Sequence, residues 1–290
     1  MTLRRFSAAL VAVALLACAG PAAAKPPVWI VRDKDSELVL FGSIHVLQAD
    51  LDWRPARLDQ ALKTADDLWF ELPIDADSQA ETARLAVAHG YLPQDQSLTA
   101  MLSPKGRTRL AKACAKYGLS PPLIDRLEPW YAEVALSTAQ FRAEGAKADT
   151  GVEQTLSATA PQSAQRRAFE TPAQQIAMFD GASRAAQIKS LEETLSDIEA
   201  DRSDLTGLIR AWMAADVKAL EKDVLRPMRD TAPEIYERLV VQRNAAWTAT
   251  LDARLKGEGH TVVVVGVGHL IGPGGLPARL RALGYSVEGP

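Results

Sequence analysis

The stretch TVVVVGVGH, residues 261–269, decides how this chain folds. Its first five residues, Thr261 to Val265, are β-branched, so they predict a β-strand. Because the run is apolar without alternation, the strand is expected to be covered on both faces, as in an α/β sheet. Gly266 and Gly268 follow the strand, and His269 ends the stretch. The sequence therefore predicts an α/β fold with a histidine at the carboxyl end of a buried strand.

The same pattern occurs near the N-terminus. The predicted strand Leu38–Phe41 runs into Gly42, and His45 comes three residues later, as His269 does after Gly266. In open α/β sheets, ligands bind outside the carboxyl ends of the strands, and glycine lets a ligand approach the backbone. We therefore expect both histidines on one rim of the sheet. The glycines expected to border a bound substrate are Gly42, Gly266 and Gly268.

Two paired histidines predict either a metal site or a general base. Neutral imidazole binds zinc, manganese, cobalt or iron, and it also accepts protons near neutral pH. The other two histidines are His89, on an amphipathic helix, and His260, in a polar turn. Both are expected to be exposed and outside the site.

Glutamates stand at the ends of two further predicted strands. Glu71 follows Leu68–Phe70, and Glu170 follows the run 167–169. Glu153 lies at a predicted helix start. A glutamate that ends an apolar strand is unusual for a simple surface residue, so we expect Glu71 to act in the site. For Glu170 a second reading stays open, in which it interacts with the dipole of the following helix.

An Arg-Asn pair lies inside the helix predicted from Pro233 to Lys256, beside an apolar stripe. We expect Arg243 and Asn244 to project into the cleft, where an arginine binds a carboxylate or an oxyanion. The alternative is a solvated helix face. For Arg254, on the same helix, we predict a position on the solvated face.

Strands are predicted at both ends of the chain and helices between them. The first strands form a hairpin from Val28 to Phe41, and the last strand covers Tyr285–Glu288. Most of residues 78–160 and 173–256 is predicted to be helical. Residues 25–290 are therefore expected to form a single α/β domain. It has a mixed central sheet with strands from both chain ends, flanked by helices, plus a long helical insertion.

Charge and cysteine content exclude several classes of protein. The 290 residues carry 33 Lys and Arg against 36 Asp and Glu, for a formal net charge of −3. No basic surplus exists to pair with phosphates, so no nucleic-acid partner is expected. Two cysteines, Cys18 and Cys114, rule out a disulfide scaffold and a cysteine-based zinc site. Cys114 lies on the apolar side of a predicted helix and is expected to be buried.

Residues 1–24 predict a signal peptide. Two arginines precede an uncharged apolar run, residues 6–17, and the small residues 22–24 suit cleavage before Lys25. The apolar run is too short to span a membrane, and no transmembrane segment is predicted in the mature chain. The signal peptide predicts that the mature protein is periplasmic or secreted. The alternative is a lipoprotein, because the residues before Cys18 resemble a bacterial lipobox.

Taken in order, these motifs resemble those of the TraB/GumN family, relatives of the animal Tiki proteases and of pheromone-shutdown proteins. The resemblance covers about Val28 to Val287. It rests on FGSIHVL at 41–47, FELP at 70–73, GVEQTL at 151–156, FETPAQQ at 169–175, RN at 243–244 and VVVGVGHLIGPGGL at 263–276. Two positions depart from the family pattern: Val267 stands where members often have alanine, and Glu153 where they often have aspartate.

The resemblance implies a metal-dependent hydrolase acting on a peptide or protein, with manganese or cobalt favoured and zinc or iron admitted. On this hypothesis a divalent cation is held by His45, Glu71 and His269. Glu71 or Glu170 takes the proton of the attacking water. Arg243 stabilises the oxyanion, Asn244 orients the substrate, and Glu153 contributes to substrate binding.

Two other functions remain open from the sequence. One is a metal-free, esterase-like hydrolase in which His45 is the general base and Glu71 orients it. The other is a non-enzymatic protein that sequesters a peptide, a pheromone or haem, since the wider superfamily includes haem-binding members.

Overall fold

The computed structural model describes residues 25–45, 47–48, 51–147, 151–202 and 205–290. The predicted signal peptide, residues 1–24, lies outside the described residues, and so does its Cys18. The predictions made for that segment therefore stay predictions.

The described residues form a mixed six-stranded sheet and a small two-stranded ladder. The strands are β1 Val28–Arg32, β2 Ser36–Ser43, β3 Leu47–Gln48, β4 Asp67–Phe70, β5 Ala146–Lys147, β6 Gln165–Ala168, β7 Gly259–Gly266 and β8 Ser286–Glu288. The sheet has the order β6–β4–β7–β2–β1–β8, and β3 pairs with β5. Strands β6, β4, β7 and β2 run parallel, whereas β1 is antiparallel to both β2 and β8. The predicted α/β class, with strands from both chain ends, is confirmed.

Strand β7 lies between β4 and β2, inside the parallel part of the sheet. Val262 to Val265 are at most 1% exposed, as the unbroken apolar run predicts. Burying one such side chain stabilises the fold by about 1.5–3 kcal/mol. The register pairs Gly266 with Ser43 of β2, and Val264 with Phe70 of β4. Because parallel strands end at the same edge of a sheet, the residues that follow β2, β4, β6 and β7 meet there.

Helices cover both faces of the sheet and fill the insertion between β4 and β7. They are α1 Ala56–Thr64, α2 Ala76–His89, α3 Leu98–Met101, α4 Pro104–Tyr117, α5 Pro121–Ile124, α6 Pro129–Ala143, α7 Val152–Thr159, α8 Pro172–Asp180, α9 Arg184–Glu199, α10 Leu205–Met213, α11 Val217–Leu220, α12 Arg226–Thr231, α13 Pro233–Tyr236, α14 Arg243–Leu255 and α15 Leu276–Ala282. Across the described ranges, none of them is both long and apolar enough to cross a membrane.

Two π-helical turns interrupt the C-terminal helices. Glu221–Leu225 joins α11 to α12, and Glu237–Gln242 joins α13 to α14. The second turn ends immediately before Arg243. Such turns change the direction in which the following side chains point, and they occur frequently at functional sites. A short 3₁₀ turn, Val267–His269, follows β7.

The helical insertion packs a core of its own beside the core of the sheet. Leucines of α3, α4, α6 and α9 form this second core, together with Cys114. Cys114 is 1% exposed, so the prediction that it is buried is confirmed. Burial raises the pKa of its thiol, and a protonated, enclosed thiol reacts slowly.

The prediction that Arg254 lies on a solvated helix face is wrong. Its Nε atom binds Asp67 at 3.0 Å, and only 16% of its side chain is exposed. Asp67 is buried at the start of β4, where Arg167 also binds it at 2.5 Å. A buried carboxylate requires a compensating charge, and the sequence around Arg254 contains no sign of this distant partner.

Candidate active site

Four predicted site residues meet at the sheet edge where the parallel strands end. His45 follows β2, Glu71 follows β4, Glu170 follows β6, and His269 lies in the turn after β7. The peptide N–H of Glu170 donates to the carbonyl of Glu71 at 3.0 Å, which continues the β4–β6 pairing. The structure thus brings both histidines to one rim, as the paired Gly-x-x-His pattern predicts.

Arg243 is the cation at the centre of this edge. Its Nε and Nη2 atoms donate to the two oxygens of Glu170 at 2.8 and 2.9 Å, and Nη2 also donates to Glu71 Oε2 at 2.5 Å. The guanidinium lies 4.5 Å from the ring centre of Trp247. Burial opposes the charge on Glu71, but Arg243, the two histidines and the N–H of Gly266 together outweigh it and lower the pKa of Glu71 to about 2.

Every N–H group of Arg243 has an acceptor. Nη1 donates to His269 Nε2 at 3.1 Å and to the carbonyl of Leu239 at 3.4 Å, in addition to the bonds with Glu71 and Glu170. A guanidinium has five N–H groups, so this arrangement leaves none for an oxyanion. The predicted contact between Arg243 and a carboxylate exists, whereas its predicted role at an oxyanion does not fit the geometry.

His269 is enclosed and neutral. Its Nδ1 donates to Asn244 Oδ1 at 2.7 Å, an assignment that follows from Asn244 Nδ2 donating to the carbonyl of Gly274 at 2.9 Å. Nε2 is then the acceptor that faces Arg243. Burial, followed by the charge of Arg243, lowers the pKa of His269 to about 4. Asn244 itself is fully buried, so it orients His269 and not a substrate, contrary to the prediction. We call Glu71, Glu170, Arg243, Asn244 and His269 the buried cluster.

His45 forms a separate pair with Glu153, which we call the dyad. His45 Nδ1 donates to Glu153 Oε1 at 2.7 Å, and the Ser43 hydroxyl donates to the same oxygen at 2.6 Å. The imidazole is 66% exposed and the carboxylate 14%. Glu153 raises the pKa of His45 above its ordinary value. Burial opposes ionisation of Glu153, but His45 lowers its pKa. Glu153 therefore orients His45, a role that the sequence reading gave to Glu71.

A glycine allows the dyad to form. Gly151 precedes α7, and a Cβ atom there would lie 2.4 Å from the carbonyl oxygen of His45. Any larger residue would push the two segments apart. Glu153 lies in the first turn of α7, where the helix dipole favours a negative charge.

The three residues predicted to hold a metal converge on Gly266. A Cβ atom at that position would lie 3.2 Å from Glu71 Oε1, 3.7 Å from His45 Nε2 and 3.8 Å from His269 Cδ2. Arg243, however, already donates to His269 Nε2 and to Glu71 Oε2. Within the described ranges, no group of three His, Cys, Asp or Glu side chains has the geometry of a metal site. The arrangement therefore does not fit a cation held jointly by these three residues.

The other glycines of the two motifs serve packing. A Cβ atom on Gly42 would lie 2.8–2.9 Å from Val267, and the Gly42 carbonyl accepts a hydrogen bond from Trp212 at 2.7 Å. A Cβ atom on Gly268 would lie 3.3 Å from Leu225. Both glycines face other parts of the protein, so only Gly266 of the three lies beside the reactive side chains.

A cavity of about 500 Å³ opens beside the dyad and the exposed edge of Glu71. We call it the first cavity. Its walls come from the segment after β4 and from α2, and they are mostly apolar: Phe70, Leu72, Pro73, Ile74, Ala83 and Ala86. A volume of this size is typical of small-molecule sites. His45 and Glu153 both line it.

Sequence reasoning missed two residues of this edge. Ser43 holds Glu153, and Trp247 stacks on both Arg243 and His269, with 4.5 Å between the ring centres of Trp247 and His269. A usable signal existed for Trp247, because it stands four residues after Arg243 on α14 and such residues share a helix face. For His89 and His260, the prediction that both are exposed is confirmed.

Comparisons with known proteins agree with the resemblance. The model of the TraB/PrgY/gumN family matches residues 27–289. The "Uncharacterized protein YbaP" of Escherichia coli strain K12 is 28% identical over 257 residues, which cover 88% of this chain and 92% of the relative. Its counterpart in Shigella flexneri is 29% identical over 243 residues, covering 83% and 87%. No solved structure matches the chain.

Proposed function

The chain belongs to the TraB/PrgY/gumN family, and from the geometry of its site we propose that it is an exported hydrolase with His45 as general base. The observation that carries this proposal is the dyad. Glu153 fixes Nδ1 of His45 at 2.7 Å, and the exposed Nε2 lies beside Gly266 at the edge of the first cavity. An imidazole oriented by a carboxylate, with its other nitrogen accessible, is the arrangement that general-base catalysis requires.

The reaction proposed is hydrolysis of an ester or amide carbonyl, including a peptide bond. Because Glu153 raises the pKa of His45 to about 9, the neutral imidazole that accepts protons predominates only above that pH. In this form His45 takes a proton from a water molecule through Nε2, while the water oxygen forms a bond to the carbonyl carbon. The imidazolium then gives this proton to the leaving oxygen or nitrogen as the bond to carbon breaks. A positioned imidazole contributes about 10²–10⁴-fold to the rate in such reactions.

The buried cluster supports His45 electrostatically. Glu71 stays ionised, since its pKa is about 2, and its Oε1 is fixed by the N–H of Gly266 at 2.6 Å. Its negative charge raises the pKa of His45 in addition to the charge of Glu153. Both carboxylates therefore stabilise the imidazolium that forms during the reaction. Arg243, Asn244 and His269 act as positioning residues for Glu71.

Turnover by the mature chain, residues 25–290, tests the proposal. The substrates are a panel of p-nitrophenyl esters and a fluorogenic peptide library. We expect hydrolysis by the parent protein, loss of hydrolysis in His45→Ala, and full activity in His260→Ala, whose histidine is exposed at the start of β7, the end of the strand opposite the site. Equal activity of His45→Ala and the parent would overturn the proposal.

Metal dependence, with manganese or cobalt favoured, is the second candidate. It would need a cation held by His45 and Glu71 without His269, and the observation that favours it is the convergence of His45 Nε2 and Glu71 Oε1 on Gly266. Elemental analysis of the purified protein and activity after chelation separate the two candidates. Unchanged activity in chelator supports the metal-free reaction. Loss of activity that manganese, cobalt, zinc or iron restores supports the metal-dependent one.

The third candidate is a sequestering protein, and the large, mostly apolar first cavity favours it. Binding of a ligand without turnover would support this candidate.

Export is tested separately, by mass spectrometry of the protein from its native host. A chain that begins at Lys25 supports signal-peptide cleavage, and an acylated Cys18 supports the lipoprotein alternative. An intact Met1 would overturn export.

A further inference from the structure

A second cavity, of about 340 Å³, also has His45 in its wall. It lies among α6, α8, α9, α13 and the π-helical turn that follows α13. His45 lines both cavities, so the imidazole borders each of them. The apolar walls of the second cavity include Trp130, Phe141, Met178, Phe179, Ile235 and Leu239.

One carboxyl group stands among these apolar walls. Glu133, on α6, accepts hydrogen bonds at Oε1 from the hydroxyls of Ser190 at 2.9 Å and Thr194 at 2.8 Å. Both hydroxyls come from α9, and they hold the carboxyl group in one orientation. Among the described residues, no donor binds the second oxygen, Oε2.

No cation of the described part of the chain neutralises Glu133. The arginine at the start of α9, Arg184, binds Glu128 instead, at 2.7 Å. Burial raises the pKa of Glu133, although the hydroxyls of Thr194 and Ser190 act in the opposite direction. A carboxyl group in apolar surroundings costs free energy unless a partner pairs with it. The cavity therefore contains a carboxyl group that two hydroxyls hold in place and that no cation among the described residues pairs with.

The walls of the cavity suit an organic cation. The rings of Trp130 and Phe179 stack with 5.7 Å between their centres. Ammonium groups are attracted to aromatic faces, and they form their strongest hydrogen bonds with carboxylates. An apolar molecule that carries an ammonium group meets both requirements, whereas an anion would face Glu133 directly.

We propose that the second cavity binds the ammonium-bearing part of the substrate, with Glu133 as its recognition group. This inference rests on the proposed hydrolase function. The substrate then lies across His45, with an apolar group in the first cavity, the scissile carbonyl at Nε2, and an amine in the second cavity. The substrate class is an ester or amide with an apolar group on one side of the carbonyl and a primary amine on the other.

Calorimetric titration tests the recognition group without reference to turnover. The probes are 2-phenylethylammonium, the neutral isostere 2-phenylethanol and the anion 3-phenylpropanoate. The protein is residues 25–290 as parent, as Glu133→Gln, and as the control Ala83→Leu, which narrows only the first cavity. We expect the parent to bind the ammonium at least about tenfold more tightly than the alcohol, because a carboxylate partner and aromatic faces are both available.

Glu133→Gln is expected to remove this preference, and Ala83→Leu to keep it. Thermal melts check that both variants fold, and the preference of the parent for the ammonium over the alcohol is a test that requires no variant. Equal binding of the two isosteres by the parent, tighter binding of the anion, or an unchanged preference in Glu133→Gln would each overturn the inference.

The failure of this inference differs from the failure of the proposed function. If His45→Ala abolishes hydrolysis but an amine-bearing substrate and its N-acetylated form are hydrolysed at equal rates, the function stands and the Glu133 site is wrong. If the ammonium preference is present but no substrate is hydrolysed in a His45-dependent way, the Glu133 site stands as a ligand site and the hydrolase proposal fails.

Discussion

The two Gly-x-x-His segments have the same sequence pattern and lie on neighbouring parallel strands, yet their histidines have opposite surroundings. His269 is 6% exposed, and both of its ring nitrogens are engaged by Arg243 and Asn244. His45 is largely exposed, and within the described part of the chain only its Nδ1 is engaged, by Glu153. The comparison shows that the pattern places a histidine at the rim of the sheet, whereas the neighbouring side chains decide whether that histidine can react.

The pKa values of the two histidines also shift in opposite directions. Burial and Arg243 lower the pKa of His269, while Glu153 raises the pKa of His45. The buried cluster holds its charges inside the protein, and the dyad holds its charges at a cavity mouth. We therefore expect changes in the buried cluster to act mainly on stability, and changes in the dyad to act mainly on turnover.

The largest effect is expected from Arg243→Leu. This change leaves Glu71 and Glu170 as buried carboxylates without a cation, which costs about 3–5 kcal/mol of unfolding free energy. Urea denaturation measures the loss. The control is Arg238→Leu, which removes a more exposed pair with Glu234 and is expected to cost about 0–1 kcal/mol. Similar losses in both variants would contradict a buried cluster centred on Arg243.

His45→Ala is expected to have the reverse profile. Turnover falls by about 10²–10⁴-fold, because the proton acceptor is gone. The unfolding free energy falls by about 1–2 kcal/mol, because the largely buried carboxylate of Glu153 loses its partner, and this loss is smaller than that of Arg243→Leu. The measurements are kcat/KM on the best substrate of the panel and urea denaturation of the same sample. A large loss of stability would show that His45 belongs to the buried cluster and not to an independent dyad.

His269 is expected to make stability depend on pH. Its pKa is about 4 in the folded protein and 6.5 ordinarily, so between these values the unfolded chain binds a proton that the folded chain does not. Stability therefore rises with pH across this window. We expect the parent to lose about 1–2 kcal/mol more than His269→Ala between pH 7 and pH 5. Urea denaturation at both pH values measures the difference, and identical losses would place His269 in solvent.

Glu153→Gln is expected to shift the pH profile of kcat/KM. The parent reacts through neutral His45, whose raised pKa places the rising limb of the profile above the ordinary imidazole range. Without the negative charge, the pKa of His45 falls, and the limb moves to lower pH by about 1–3 units. The plateau is also expected to fall, because Nδ1 loses its ionic acceptor. An unmoved limb would show that Glu153 does not act on the reacting group. The matched control is Glu258→Gln, at an exposed glutamate just before β7.

The fold was more predictable from the sequence than the site was. The apolar run at 262–265 predicted a covered strand, and the residues after β2, β4 and β7 correctly predicted which side chains share an edge. The roles of individual side chains were harder to predict from the sequence than their positions were. Glu153 was expected at the substrate; it lines the first cavity and also orients His45, a contact that the sequence did not indicate. Asn244 was expected to face the substrate but holds His269. These roles depend on which side chains face one another across helices distant in sequence.

The sequence by itself determined the family, the α/β class and the edge of the sheet at which the candidate site lies, because motifs, hydrophobic periodicity and glycine positions are local features of the chain. Only the tertiary structure decided which histidine is free. Arg243 comes directly after the π-helical turn, and its guanidinium occupies Nε2 of His269, the atom through which this histidine would bind a metal. Gly151, just before α7, lets this helix approach the backbone of His45, so that Glu153 reaches the imidazole. Electrostatic interactions fall off over a few ångströms in a partly buried site, so the role of each histidine follows from neighbours that only folding brings together.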